Sequence, residues 1–217
     1  MIRAVIFDMD GLIIETESLQ SKAYEQIIRE YGKEPIFEDN GLVHKVGLRG
    51  DDAWKTVLNK HDLTGDIEQL RSRKRELYLE ILKKNLIPMP GLRSLLSILS
   101  EKKIPMSLAT GTIRQIATYV LTELDILDYF SVLVTGDEVK KGKPDPETFM
   151  LASKRLHVIP SECLVFEDAQ PGVTAAKLLG MCVIAVPTSY TKKDNFSQAD
   201  KVVKSLESVN WEVIAAL

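Results

Sequence analysis

Ile2-Arg3-Ala4-Val5-Ile6-Phe7-Asp8-Met9-Asp10-Gly11 is the stretch on which the fold turns. Residues 2–7 read as an apolar run of the kind buried on both faces of a parallel sheet. Two carboxylates, Asp8 and Asp10, follow at once, separated only by Met9. Acids rarely stand beside a core strand unless a cation, a proton or a chemical step requires them. The crevice at the carboxyl ends of the strands is also where open α/β sheets keep their sites. An Asp-x-Asp pair alone can equally mark a turn, so the reading depends on the rest of the chain.

Working outward, the next segment is helical. Leu19, Ala23, Ile27 and Tyr31 recur at i, i+4 up to Gly32, and Leu70, Lys74, Leu77 and Ile81 repeat the pattern over 67–82. No strand pattern occurs between Thr16 and Asn85. After Pro88-Met89-Pro90-Gly91 the texture changes. Helices over 92–101, 113–124, 146–156 and near 173–179 alternate with strands over 104–109, 132–134, 164–166 and 182–186. Val202-Val203 adds a short last strand before a C-terminal helix. Such alternation implies right-handed βαβ units and an α/β, doubly wound parallel sheet. The expected domains are an α/β core from 1–15 and 86–217, with 16–85 inserted as an all-helical cap.

Composition narrows the function classes. The 217 residues suffice for a sizeable core, and the net charge of −3 offers no basic footprint for nucleic acid. Cys163 and Cys182 are the only cysteines, and they read as reduced thiols in strands rather than a disulfide framework. Asp8 and Asp10 interrupt the N-terminal apolar stretch, which is therefore no secretory signal. No apolar run reaches the roughly 20 residues of a membrane span, so a cytoplasmic protein without a membrane partner is expected. Neither a coiled-coil heptad nor an apolar patch announces an oligomer, and a monomer is the starting expectation. A P-loop fails because Pro144 stands where Ser or Thr is needed, and no GxGxxG follows the first strand.

Four polar constellations fall after predicted strands or in loops on the same side. The first is Asp8 with Asp10. The second is Thr110-Gly111-Thr112, which could be a plain helix N-cap or an anion site made of a hydroxyl and free N–H groups. The third is Lys141-Gly142-Lys143-Pro144-Asp145-Pro146, where Lys143 is either solvated or held in place by the restrained loop. The fourth is Glu167-Asp168, two acids at the end of a buried strand. Four carboxylates from two strands form a hard-oxygen site suited to Mg²⁺. A hydroxyl, a helix N-terminus and a lysine supply the positive potential that phosphoryl transfer needs.

Taken in order, FDMDG, ATGT, KGKPDP and FEDAQPG resemble the four motifs of the haloacid dehalogenase superfamily of phosphohydrolases, and the cap resembles that of its beta-phosphoglucomutase-like branch. The resemblance implies a Mg²⁺-dependent phosphatase of small phosphorylated metabolites, sugar phosphates or nucleotide-derived phosphates. It implies that Asp8 is the nucleophile that forms an aspartyl-phosphate, and that Asp10 is the general acid and then the base. By the same resemblance Asp8, the Asp10 backbone carbonyl, Asp168 and Glu167 hold the metal. Thr110, the Gly111 N–H and Lys143 grip the phosphoryl oxygens. An acid at position 10 separates this reading from the superfamily's dehalogenases, which lack one there.

For the cap, the resemblance implies closure over the leaving group, with hinges near Thr16 and over 86–90. Arg49 and Lys74 sit where the mutase-like branch has substrate-binding cations. Arg71, Arg73 and Arg75 read as a solvated helix face, whereas Lys74 lies on the apolar stripe. Gln20 stands where beta-phosphoglucomutases carry a histidine, and Glu15 replaces the commoner aspartate before Thr16. Glutamine cannot titrate, which favours hydrolysis over the alternative of a hexose-phosphate mutase. His44, His61 and His157 read as structural or surface residues. A phospho-accepting signalling module is a distant alternative, since its phosphorylated aspartate follows the third strand.

Overall fold

The first strand, β1 (Ala4–Phe7), pairs in parallel with β2 (Met106–Ala109) on one side and with β4 (Cys163–Glu167) on the other. Beyond β2 lies β3 (Val132–Val134), and beyond β4 lie β5 (Cys182–Ala185) and β6 (Lys201–Val202). The sheet is six-stranded, wholly parallel and ordered β3-β2-β1-β4-β5-β6, the doubly wound α/β arrangement expected from the alternating pattern. The computed structural model that shows this describes residues 1–44 and 50–217. It comprises two compact units, one of Met1–Ile14 with Ile87–Leu217 and one of Glu15–Leu86.

Both faces of the sheet are buried, which is why its strands read as unbroken apolar runs. One face packs Ala4, Ile6, Val165 and Val183 against Phe149, Ala152, Val173 and Ala176. The last four belong to α6 (Glu147–Leu156) and α7 (Gln170–Leu178). On the opposite face Phe7 stacks on Phe166 with centroids 5.2 Å apart and meets the edge of Phe130 at 5.8 Å. Aromatic pairs of this kind add about 0.5–1.5 kcal/mol each beyond their area burial. The apolar stripe of α4 (Leu92–Glu101) is Leu92, Leu95, Leu96 and Leu99, all fully enclosed.

Element ends differ from the periodicity for local reasons. Strand β2 starts at Met106 because Pro105 brings no N–H to the ladder, although its carbonyl accepts from Val5 N–H. Helix α7 starts at Gln170, ahead of the predicted 173, because Pro171 fits a first helical turn. Helix α5 (Arg114–Glu123) follows the predicted course, and α8 (Trp211–Ala215) closes the chain.

The helical unit contains α1 (Glu17–Glu30), α2 (Gly50–His61) and α3 (Ile67–Lys84). Helices α1 and α3 pack together, and their buried residues include Leu19, Ala23, Ile27, Leu70, Leu77 and Tyr78. His61 is enclosed, with Nδ1 toward the Val57 carbonyl and Nε2 accepting from Ile36 N–H. His44 is enclosed beside Glu17, and exposed His157 ends α6 in a left-handed conformation. None of the described helices is long and apolar enough to cross a membrane. Both cysteines are free.

Candidate active site

Parallel register sets the site. Phe7 pairs with Leu108 on one side and with Phe166 on the other. The next residues along, Asp8, Ala109 and Glu167, therefore stand side by side at one edge of the sheet. Asp8 is anchored there by donating its N–H to the Phe166 carbonyl at 3.1 Å. The chain then turns back, with Leu12, Ile13 and Ile14 all donating to the Met9 carbonyl. Gly11 takes φ +79° in this turn, and a Cβ there would lie 2.2 Å from Asp168 Oδ2. A residue without a side chain is needed both for that backbone conformation and for that close approach.

Lys143 closes the centre. Its buried ammonium donates to Asp8 Oδ1 at 2.5 Å, to Glu167 Oε1 at 2.6 Å and to the Ala109 carbonyl at 3.0 Å. These contacts use all three of its protons. The ammonium also lies 4.5 Å from the centroid of the Phe149 ring. The other Glu167 oxygen accepts from the N–H groups of Asp168 and Ala169. Gly172 leaves room for this carboxylate, since a Cβ there would sit 1.7 Å from Glu167 Oε1.

Burial pushes the Asp8 carboxyl up to about 7; Lys143 opposes the rise, while Glu167 and Asp10 add to it. Burial also works against the Lys143 ammonium, but Asp8 and Glu167 outweigh it and hold that group above the ordinary lysine value. Among the described residues the site thus stores more negative charge than the Lys143 ammonium neutralises.

That excess has a chemical meaning. Asp8, Glu167 and Asp168 each offer a carboxylate oxygen within 4.8 Å of the others, and all three residues are buried. Three carboxylates against one ammonium leave two negative charges, which a divalent cation would balance. All the donors are hard oxygens, the set suited to Mg²⁺ or Ca²⁺ rather than to a thiolate-seeking metal. The residues present therefore fit a divalent cation.

Asp10 belongs to a different environment. Its Oδ2 accepts from the Thr112 hydroxyl at 2.8 Å and from the Thr110 hydroxyl at 3.2 Å, while Thr110 Oγ1 itself accepts from Thr112 N–H. The Asp10 carboxylate is not part of the cluster of three, so a metal role for Asp10 would fall to its backbone carbonyl. Gly111 lies between the two threonines, and its carbonyl abuts Gly136, where a Cβ would come within 2.1 Å.

The structure thus brings Asp8, Asp10, Thr110, Gly111, Lys143, Glu167 and Asp168 to one edge of the sheet. Gln20 and Lys74 meet each other within the helical unit, where Lys74 Nζ donates to Gln20 Oε1 at 2.9 Å and lies 4.2 Å from the Tyr24 ring centroid. Arg71 and Arg73 pair with surface acids of their own unit. Arg49 lies outside the described residues. Thr112 carried no role in the sequence reading, although the repeated hydroxyl of Thr-Gly-Thr was its signal.

Comparison with known proteins bears on the same motifs. A family model described as haloacid dehalogenase-like hydrolase matches residues 5–186. A phosphorylated carbohydrates phosphatase of Thermotoga maritima is 39% identical over 184 residues, covering 82% of each chain. A probable pseudouridine-5'-phosphatase of Drosophila melanogaster is 37% identical over 93% of this chain and 88% of its own. Among solved structures, a beta-phosphoglucomutase of Clostridium difficile superposes with a TM-score of 0.83 at 26% identity, covering all of this chain and 96% of its own.

Proposed function

Since the chain belongs to the haloacid dehalogenase-like hydrolases and is a phosphoric monoester hydrolase, we propose that it is a Mg²⁺-dependent phosphatase of small phosphorylated metabolites, sugar phosphates or nucleotide-derived monoesters, acting through an aspartyl-phosphate. One observation carries the reading: two carboxylates two residues apart have opposite partners. Asp8 is held by an ammonium inside an acidic cluster, whereas Asp10 is held by two hydroxyls. Environments that separate two acids in this way separate their chemical roles.

Asp8 is the nucleophile, and Lys143 fixes its rotamer by gripping Oδ1. An Asp8 oxygen bonds phosphorus while the bond to the leaving oxygen breaks, and Asp10 supplies that oxygen's proton. Asp10 then takes a proton from the water that releases phosphate from Asp8. Splitting the reaction in two lowers each barrier. Thr110, the Gly111 N–H and Lys143, once it turns a proton away from one of its present acceptors, stabilise the phosphoryl oxygens as charge develops. Asp8, Asp168, Glu167 and the Asp10 carbonyl would hold Mg²⁺, which when bound neutralises phosphoryl charge and orients the group for attack. Gln20, Arg49 and Lys74 are proposed to set specificity from the helical unit. The neutral Gln20, bonded to Lys74, favours release of phosphate over the return of it to a sugar.

The test is phosphate release from a panel of monoesters, with Mg²⁺ and with EDTA. Release that needs the metal and concentrates on a few sugar or nucleotide-derived esters is the expected result. Interconversion of hexose-phosphate isomers without free phosphate would replace hydrolysis by mutase activity.

Metal binding should also report the Asp8 carboxyl. Its folded value of about 7 lies above the ordinary 3.8, so between those values the folded protein holds a proton that the unfolded chain has lost. Mg²⁺ must displace that proton. Its apparent affinity is therefore expected to rise about tenfold per pH unit up to about pH 7 and then level off. Titration calorimetry from pH 5.5 to 8 checks this, and a flat affinity across the range would contradict it.

A further inference from the structure

The Asp10 carboxylate is held on one oxygen only. Oδ2 accepts from the Thr112 and Thr110 hydroxyls, whereas Oδ1 is buried and has no hydrogen-bond partner among the described residues. An unpaired buried carboxylate oxygen is costly, and such an atom calls for a functional explanation.

The two hydroxyls on Oδ2 are not equivalent. Each threonine has one hydroxyl proton to give. In the function proposed above, Thr110 gives its proton to a phosphoryl oxygen, and it then ceases to hold Asp10. Its contact is already the longer one, 3.2 Å against 2.8 Å for Thr112. Ordinary O–H···O bonds span about 2.5–3.0 Å, so only the Thr112 contact lies within the usual range.

Thr112 is in turn fixed from outside. Its carbonyl accepts from Gly136 N–H at 2.9 Å, and no Cβ at Gly136 intervenes between the two loops. Two residues on, Arg114 donates its N–H to Asp137 Oδ1 at 3.0 Å and its guanidinium to the Leu133 carbonyl at 2.9 Å and to Glu138. Burial works against the Glu138 carboxylate, but Arg155, Arg114 and Thr135 bind it tightly enough to leave its pKa at about 2. The Thr112 backbone is therefore clasped to β3 and the loop after it by bonds that do not involve Asp10.

We propose that Thr112 is a positioning residue for proton transfer: its hydroxyl holds Asp10 Oδ2 and reserves Oδ1 as the oxygen that carries the proton. This rests on Asp10 being the proton carrier. Oδ2 already accepts the Thr112 proton, which leaves Oδ1 as the oxygen free to give a proton to the leaving group and to take one from water. As the Asp8–phosphorus bond forms and the leaving-group bond breaks, the proton passes from Oδ1 to the leaving oxygen. In the second step a water proton passes to Oδ1 as the water oxygen bonds phosphorus and the Asp8–phosphorus bond breaks. The Thr112 proton moves in neither step.

Thr112→Val removes the hydroxyl at nearly constant shape, and Thr112→Ser retains it. On a hexose phosphate that the wild type hydrolyses, Thr112→Val should lower kcat about 10- to 100-fold with KM changed less than about twofold. Thr112→Ser should stay within about threefold of the wild type. p-Nitrophenyl phosphate separates positioning from damage, because its leaving group departs without a proton. The first-turnover burst of nitrophenolate from Thr112→Val should keep the wild-type rate, while steady-state turnover falls because the second step still needs the base. Wild-type kcat in Thr112→Val, or a burst lost in proportion to hexose-phosphate turnover, overturns the proposal. Asp10→Ala measured alongside distinguishes the two layers. If Asp10→Ala still hydrolyses the hexose phosphate, the proton-carrier reading fails; if it is inactive and Thr112→Val is normal, only the positioning role fails.

Discussion

Asp8→Asn is expected to abolish phosphate release, by about 10⁴-fold or more, while leaving the protein folded. The activity loss follows from chemistry: an amide oxygen does not form the acyl-phosphate that the proposed first step requires. The survival of the fold follows from electrostatics. Burial already disfavours the ionised Asp8 carboxylate, and Glu167 and Asp10 repel it, so its charge contributes little to stability without a metal. In Asp8→Asn the Lys143 ammonium keeps Glu167 and the Ala109 carbonyl as acceptors. The thermal midpoint in EDTA should therefore equal or exceed that of the wild type. Turnover by Asp8→Asn at the wild-type rate would falsify the aspartyl-phosphate mechanism outright.

Lys143→Met has the opposite profile, losing both activity and stability. Among the described residues its ammonium is the one positive group bonded to both Asp8 and Glu167, and all three side chains are almost wholly enclosed. Removing one partner of a buried ion pair leaves uncompensated charge, at a cost of about 3–5 kcal/mol. For a protein of this size that corresponds to a midpoint lower by roughly 10 °C in EDTA. Mg²⁺ should restore part of the loss, because a divalent cation among Asp8, Glu167 and Asp168 replaces the missing positive charge. Differential scanning calorimetry with EDTA and with Mg²⁺ measures both effects. A Lys143→Met protein that melts with the wild type in EDTA would show that the triad is not a stabilising unit. The two variants together test separate claims, since only one of them leaves a buried charge unpaired.

The fold was legible because the signals that specify it are local. Residues 4–7 are apolar on both faces, and helix periodicity alternates with short β-rich runs after Gly91. A chain of that texture reaches a parallel sheet because only crossover helices can cover both faces of such strands. The candidate site was legible for the same reason. Each constellation directly follows a strand or lies in the loop that leads to the next helix, so the strand pattern alone puts Asp8, Thr110 and Glu167 at one edge. The missed helix start at Gln170 and the late start of β2 both turn on proline, whose effect depends on whether its N–H position is needed.

Partnerships across the sheet were not legible. That Lys143 spends one proton on Asp8, one on Glu167 and one on a strand carbonyl depends on where three loops meet in space. The division of Asp10 into a held oxygen and a free one depends on a separation of 2.8 Å from Thr112, a residue 102 positions along the chain. Gly11, Gly136 and Gly172 matter through clearances to Asp168, Gly111 and Glu167 that no neighbouring residue encodes. Periodicity and strand-end placement are one-dimensional properties, and they determined the architecture and the position of the motifs, while the resemblance of those motifs implied the reaction class. Hydrogen-bond direction, burial and the shift of the Asp8 carboxyl arise only when distant segments exclude water together, because both the desolvation cost and the charges that offset it depend on distance in space.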